Sequence, residues 1–254
     1  MSGASDGLLT RLVARARGVP TERHWARSAV LEPRYAPRVP ELISDAEGLA
    51  FPPSALDGPF KPLAPRDPAV GMLAAQLEGR AGSSSLRQST HPLERRPVPS
   101  ALDGWRLIAR TDEEALFGRG RPPDLVMVAV QKDPRRGTWS RADKTAGRPL
   151  RVTRDGIRAS SWRLDPTHEL RADDTVVRIL VTEQTYAGGK RADGRVLDPD
   201  LYEGERELIL TIFVTPLEGF QMRTPNPETP LRVALPQPVA GRELIDGAVY
   251  EHSH

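Results

Sequence analysis

The spacing of apolar positions changes near residue 100. Upstream, apolar residues recur at helical intervals in two short stretches and are otherwise scattered among prolines. Downstream, they fall into short β-branched and aliphatic runs that continue to the C-terminus. That second texture predicts strands over 105–110, 125–131, 138–141, 150–153, 160–164, 175–183, 207–215, 231–235 and 248–251. Turn chemistry bounds them: Asp103-Gly104, Gly118-Arg119-Gly120, Asp133-Pro134, Asp155-Gly156, Asp165-Pro166 and Asp246-Gly247. No helical pattern of twelve residues follows residue 100, which argues against βαβ units.

Two of these runs are apolar on both faces. In 175–183, Val177, Ile179 and Val181 alternate with Val176 and Leu180. In 207–215, Leu208, Leu210, Ile212 and Val214 alternate with Ile209 and Phe213. Such strands are buried on both sides. Covering the outer side requires something beyond two sheets, and the N-terminal arm or a neighbouring subunit is the natural candidate.

The upstream region predicts two short helices. In 7–17, Asp6 caps a stripe of Leu8, Leu9, Leu12, Val13 and Ala16 flanked by Arg11, Arg15 and Arg17. In 68–79, Asp67 then Pro68 is a start signal, and Val70, Leu73, Ala74 and Leu77 form the stripe. Between them, residues 19–66 carry nine prolines, a density that predicts extended, polyproline-like backbone. The same stretch holds Trp25, Tyr35 and other spaced apolar anchors. It reads as an arm that wraps a partner or its own domain. Gly82-Ser83-Ser84-Ser85 reads as a flexible linker. The domains are thus expected as 1–100, a Pro-rich arm with two short helices, and 101–254, an all-β domain. The fold class expected is mainly β: an antiparallel β-sandwich, jelly-roll or immunoglobulin-like, after a largely irregular arm.

Composition narrows the function classes. The 36 basic and 34 acidic residues leave a net charge of only +2, with both signs interleaved. A nucleic-acid protein concentrates its cations in a stripe, so no nucleic-acid partner is expected. The absence of cysteine excludes disulfides, thiolate nucleophiles and thiolate metal sites, and fits a cytoplasmic protein. No apolar run approaches the ~20 residues needed to cross a bilayer, so no transmembrane segment is expected.

Chemistry is sparse. Gly188-Gly189-Lys190 lacks the flanking residues of a phosphate-binding loop. Asp193, Asp198, Asp200, Glu203 and Glu205 crowd one connection, but not in the order of a calcium loop. No cofactor or metal is expected. Asp165, His168 and Glu183 are the residues from which an enzyme site distant in sequence would be assembled. Trp105, Trp139 and Trp162 would serve a glycan-binding surface if exposed and a core if buried. The long connection 184–206 is the strongest candidate for a contact loop, through Tyr186, Lys190, Arg191 and Arg195.

The stretch Leu8-Leu9-Thr10-Arg11-Leu12-Val13-Ala14-Arg15-Ala16, followed by Arg34-Tyr35-Ala36-Pro37-Arg38-Val39-Pro40, resembles the N-termini of accessory proteins of phage-tail-like contractile injection systems. Those N-termini pair a leucine/arginine helix with an arginine–proline segment. The spacer here is longer, and Tyr35-Ala36 interrupts the second segment. The resemblance covers about 40 residues and leaves 101–254 unassigned. It implies a bacterial protein whose arm docks on a multiprotein particle, with Leu8, Leu9, Leu12, Val13, Arg15, Trp25, Tyr35 and Arg38 as partner-binding residues. The expected function is a non-enzymatic structural or interaction protein with protein partners, either a multiprotein assembly or its own copies. The glycan-binding module and the enzyme remain open alternatives.

Overall fold

The computed structural model describes residues 20, 22–45, 48–57, 63–78, 102–121, 124–141, 149–219 and 221–250. The expected helix 7–17, with Leu8, Leu9, Leu12, Val13 and Arg15, and the Gly/Ser linker lie outside these residues. In chain order the elements begin with α1 (Glu22–Arg27), β1 (Val30–Leu31), β2 (Arg34–Tyr35), β3 (Leu42–Ser44) and β4 (Ala50–Phe51). A 3₁₀ turn (Pro53–Leu56) and α2 (Pro68–Leu77) follow. Next come β5 (Trp105–Arg110), β6 (Glu114–Arg119), β7 (Val126–Lys132), β8 (Trp139–Arg141) and β9 (Arg151–Arg154). The last are β10 (Ile157–Leu164), β11 (Val176–Thr182), β12 (Asp200–Glu203), β13 (Glu207–Phe213), β14 (Thr229–Ala234) and β15 (Glu243–Asp246). The protein is mainly β, as its alternating pattern requires.

Among the described residues of the N-terminal region, the prolines of 33–52 coexist with short strands. They fall beside the strands rather than inside them: Pro33 and Pro37 flank β2, Pro40 precedes β3 and Pro52 follows β4. Two- and three-residue strands at sheet edges tolerate such neighbours, because proline interrupts a ladder only where its missing N–H is needed. At the other end, the strand expected over 248–251 is a single bridge from Val249 to Arg151, while β15 forms earlier.

The chain divides into two compact units. Of the described residues, one unit takes those up to Arg38 together with those of 157–248; the other takes those of 39–156 with Val249 and Tyr250.

In the first unit the strand order is β1-β14-β11-β10-β13-β12-β2, with β15 also on β13. β10 links two groups: Ser161 to Leu164 pair with β11, while Ala159 and Ser160 pair with β13. Inward positions of both groups meet in one core. Val177, Ile179 and Val181 of β11 and Leu231 and Val233 of β14 join Leu201 of β12 and Leu208, Leu210 and Ile212 of β13. Each such side chain contributes about 1.5–3 kcal/mol by leaving water. Trp162 is buried there too, its indole N–H donating to the Leu210 carbonyl at 2.7 Å.

The N-terminal segment covers the outer side of β11 at Arg178, while Val176 on that side stays exposed. α1 lies against β14, and Trp25, only 2% exposed, sits beneath Arg178, whose Cζ is 5.5 Å from the ring centroid. Past α1 the chain adds β1 parallel to β14, then β2 parallel to β12. Residues 22–38 therefore strap their own unit.

The second unit is built on the antiparallel meander β5-β6-β7-β8. Ala115, Phe117 and Val130 face α2, which buries Ala69, Val70 and Leu73 against them. Leu116 and Ala129 face the other way, toward Ile43, Phe51 and Leu56. α2 starts where its sequence says: Asp67 Oδ1 accepts from Ala69 N at 2.9 Å, and Asp67 Oδ2 pairs with Arg110. Arg106 is buried and donates to the Gly120 and Leu56 carbonyls at 2.6 and 3.1 Å, tying the β6–β7 turn to the 3₁₀ turn. Burial, then the charge of Arg121, lowers its pKa from the ordinary arginine value.

Candidate functional site

After β11 the chain runs from Glu183 to Pro199 with no strand of its own. The connection is shorter than its sequence suggests, because β12 takes 200–203 and Val196 bridges to Val214. Three glycines turn it: Gly188, Gly189 and Gly194 have φ of 60, 77 and 73°, values that side-chain-bearing residues rarely adopt.

The loop is stapled at several points. The Glu183 side chain is 2% exposed, and both its oxygens accept from Arg195, at 2.7 Å from Nη1 and 2.6 Å from Nη2. A buried carboxylate needs such a partner, since desolvation costs several kcal/mol per ion. The Arg195 guanidinium also donates to the Thr215 and Arg191 carbonyls. Its pKa is raised, chiefly by these bonds to Glu183 and against the opposing effect of burial. Asn226 grips the start of the loop. Its Oδ1 accepts from Ala187 N at 2.9 Å, and its Nδ2 donates to the Glu183 and Thr185 carbonyls. Thr229 Oγ1 accepts from the buried Ala192 N at 2.8 Å.

The staples fix what the loop displays. Tyr186 is 54% exposed, and Lys190 is exposed two residues past the Gly188 turn. The segment 221–224 runs beside it: a Cβ on Gly188 would lie 3.3 Å from Gln221 Oε1, and one on Gly189 3.3 Å from Thr224 Cγ2. That neighbouring segment presents Met222, 66% exposed, and Arg223. Tyrosine, methionine and arginine are enriched at the centres of protein contacts, and a fixed backbone lowers the entropy lost on docking.

The expected contact residues therefore separate. Tyr186 and Lys190 face solvent, Arg191 is half-buried, and Arg195 is the staple rather than the surface. Among the expected arm residues, Trp25 is spent inside its own unit. Tyr35 is 67% exposed, and Arg38 pairs with Glu207 at 3.1 Å. Sequence reading did not single out Asn226, Met222 or Arg223. The Asn226 side chain bonds backbone 39 to 43 residues away, which no local pattern signals.

The other chemical candidates are engaged differently. Asp165 Oδ1 accepts from Thr167 N and Oγ1, and Glu183 is held by Arg195. His168 is half-exposed, with Nε2 3.9 Å from Asp174 Oδ2, beyond hydrogen-bond length. Trp105 and Trp162 are buried, and Trp139 lies under Arg110 at 5.4 Å, so none offers the open ring face that sugar stacking needs. Asp200 and Glu203 face Arg34 and Arg242. Among the described residues, no group of three or more histidine, aspartate or glutamate side chains is placed to hold a metal ion. Among the same residues, no helix is long and apolar enough to cross a membrane.

No protein-family model matches the chain, and neither a curated protein nor a solved structure does.

Proposed function

We infer that the protein is a non-enzymatic interaction protein, a β module that docks on a larger protein assembly. The observation that carries this reading is the stapled loop. A buried ion pair, an asparagine clamp and a threonine bond hold the connection in one shape, with Tyr186 and Lys190 at the surface beside Met222 and Arg223. A buried charge pair contributes little net stability compared with apolar packing, so its use here supports selection for loop shape. We read the two strand groups of the first unit as the layers of an antiparallel β-sandwich, with the loop projecting from one end. The leucine/arginine opening and the 34–40 segment support a contractile injection particle as the assembly, and the cysteine-free chain supports action in the cytoplasm.

The experiment is quantitative affinity capture from the source cells with the full chain and with a Tyr186→Ala/Lys190→Glu/Met222→Ser variant, each checked for native unfolding behaviour. A contact centre of this kind contributes about 2 kcal/mol or more, so capture of the specific partners should fall at least tenfold. An identical set of partners at identical yield would remove the loop from the interface. Partners drawn from contractile-particle components would support the assembly named here, and partners from another assembly would replace it.

A further inference from the structure

The strap of residues 22–38 is joined to the body of its unit by bonds that another copy of the same strap would reproduce. Ser28 and Ala29 carbonyls accept from Arg232 Nη2 and N at 2.8 and 3.1 Å. Arg34 N and Ala36 N donate to the Pro199 and Leu201 carbonyls at 2.7 and 2.8 Å. Three ion pairs cross from strap to body: Glu22–Arg178 at 3.1 Å, Arg34–Asp200 at 2.9 Å and Arg38–Glu207 at 3.1 Å. In each pair the strap side chain is largely in water. Trp25 is the one fully buried apolar anchor along the strap, with Leu31 partly buried against the core.

We propose that this strap is exchangeable and that its alternative acceptor is the same pair of sheet edges, β14 and β12, on a second copy of the chain. Three features support exchange between copies. The strap leaves its unit at Arg38 and continues through Val39 and Glu41, whose exposed side chains do not anchor the chain where a swap would turn. The ion pairs that latch it are at the surface, where about 1 M salt shortens the screening length to roughly 3 Å. The outer edge of β2 is blunted against further addition. The amides of Arg34 and Ala36 face β12, so positions 33, 35 and 37 face outward, and two of these are prolines with no N–H to give. The docked strap therefore offers no ladder to a further strand, and reciprocal exchange between two copies closes the pair.

The chain has no cysteine, which makes cross-linking decisive. Arg34 and Asp200 are partners in the parallel register, so an Arg34→Cys/Asp200→Cys variant places two thiols at bridging distance. One sample is oxidised dilute in low salt. A second is held concentrated in about 1 M salt, returned to low salt and then oxidised. The expected result is a monomer with an internal disulfide in the first and a disulfide-linked dimer, raised at least tenfold, in the second. The unmodified full chain, taken through the same cycle and measured by light scattering, should hold a species of twice the monomer mass that persists on dilution. Internal linkage alone in both samples, a dimer without the strap–body disulfide, or an unmodified chain that stays monomeric throughout would each overturn the exchange.

Discussion

Glu183 and Arg195 show how much one residue pair decides here. Arg195→Met would leave a carboxylate that is 2% exposed with no cation, and should cost about 3–5 kcal/mol in urea unfolding. Replacing both partners with apolar residues should recover most of that stability while loosening the loop. Tyr250 gives a pH prediction. Its phenol pKa is raised above 10.0, first by burial and then by the charge of Asp57. The folded protein favours the neutral phenol, so the stabilisation is complete below the unfolded value. It is lost as pH rises through the raised folded one. In a tyrosinate absorbance titration, Tyr250→Phe should remove a phenol that titrates above the ordinary tyrosine value. Gly120 has φ of 84°, and a Cβ there would lie 2.8 Å from the Asp124 carbonyl oxygen. Gly120→Ala should destabilise by about 1–3 kcal/mol, read as a fall in Tm.

At the scale of elements, the strands with clean alternation were legible. β5 matches its expected range; β13 is buried on both faces as its sequence requires, and β11 is too at Leu180 but not at Val176, which is exposed. β6 was hidden for a local reason. Gly118 reads as part of a turn, yet it lies inside the strand, because a Cβ there would lie 2.4 Å from Ile108 Cδ1 across the β5–β6 pair. β12 was hidden by its acids: Asp200 and Glu203 look like loop residues until Arg34 and Arg242 stand beside them. α1 was hidden by prolines on both sides, and it exists because Trp25 has a surface to bury against. Trp25→Ala should therefore act through packing, at about 3–5 kcal/mol in chemical denaturation. A change well below that would mean the strap contributes little to the folded unit.

At the scale of the molecule, what escapes the sequence is long-range pairing. Arg34 meets Asp200 across 166 residues, and Arg232 meets Ser28 across 204. No local pattern announces such partners, since edge additions of two residues carry almost no periodic signal. The proposed contact site was half legible for the same reason. Tyr186 and Lys190 stood out in a long polar connection, while Asn226 and Met222 belong to another segment that only the fold brings alongside. The proposed docking requires this loop to hold one shape before any partner arrives. Amide exchange followed by NMR on the free full chain tests it directly. Ala187 N–H, bonded to Asn226, and Ala192 N–H, bonded to Thr229, should exchange far more slowly than solvent-exposed loop amides, and Asn226→Ala should release the first. Exchange of both at the rate of an unstructured chain would contradict the preformed loop and the docking function built on it.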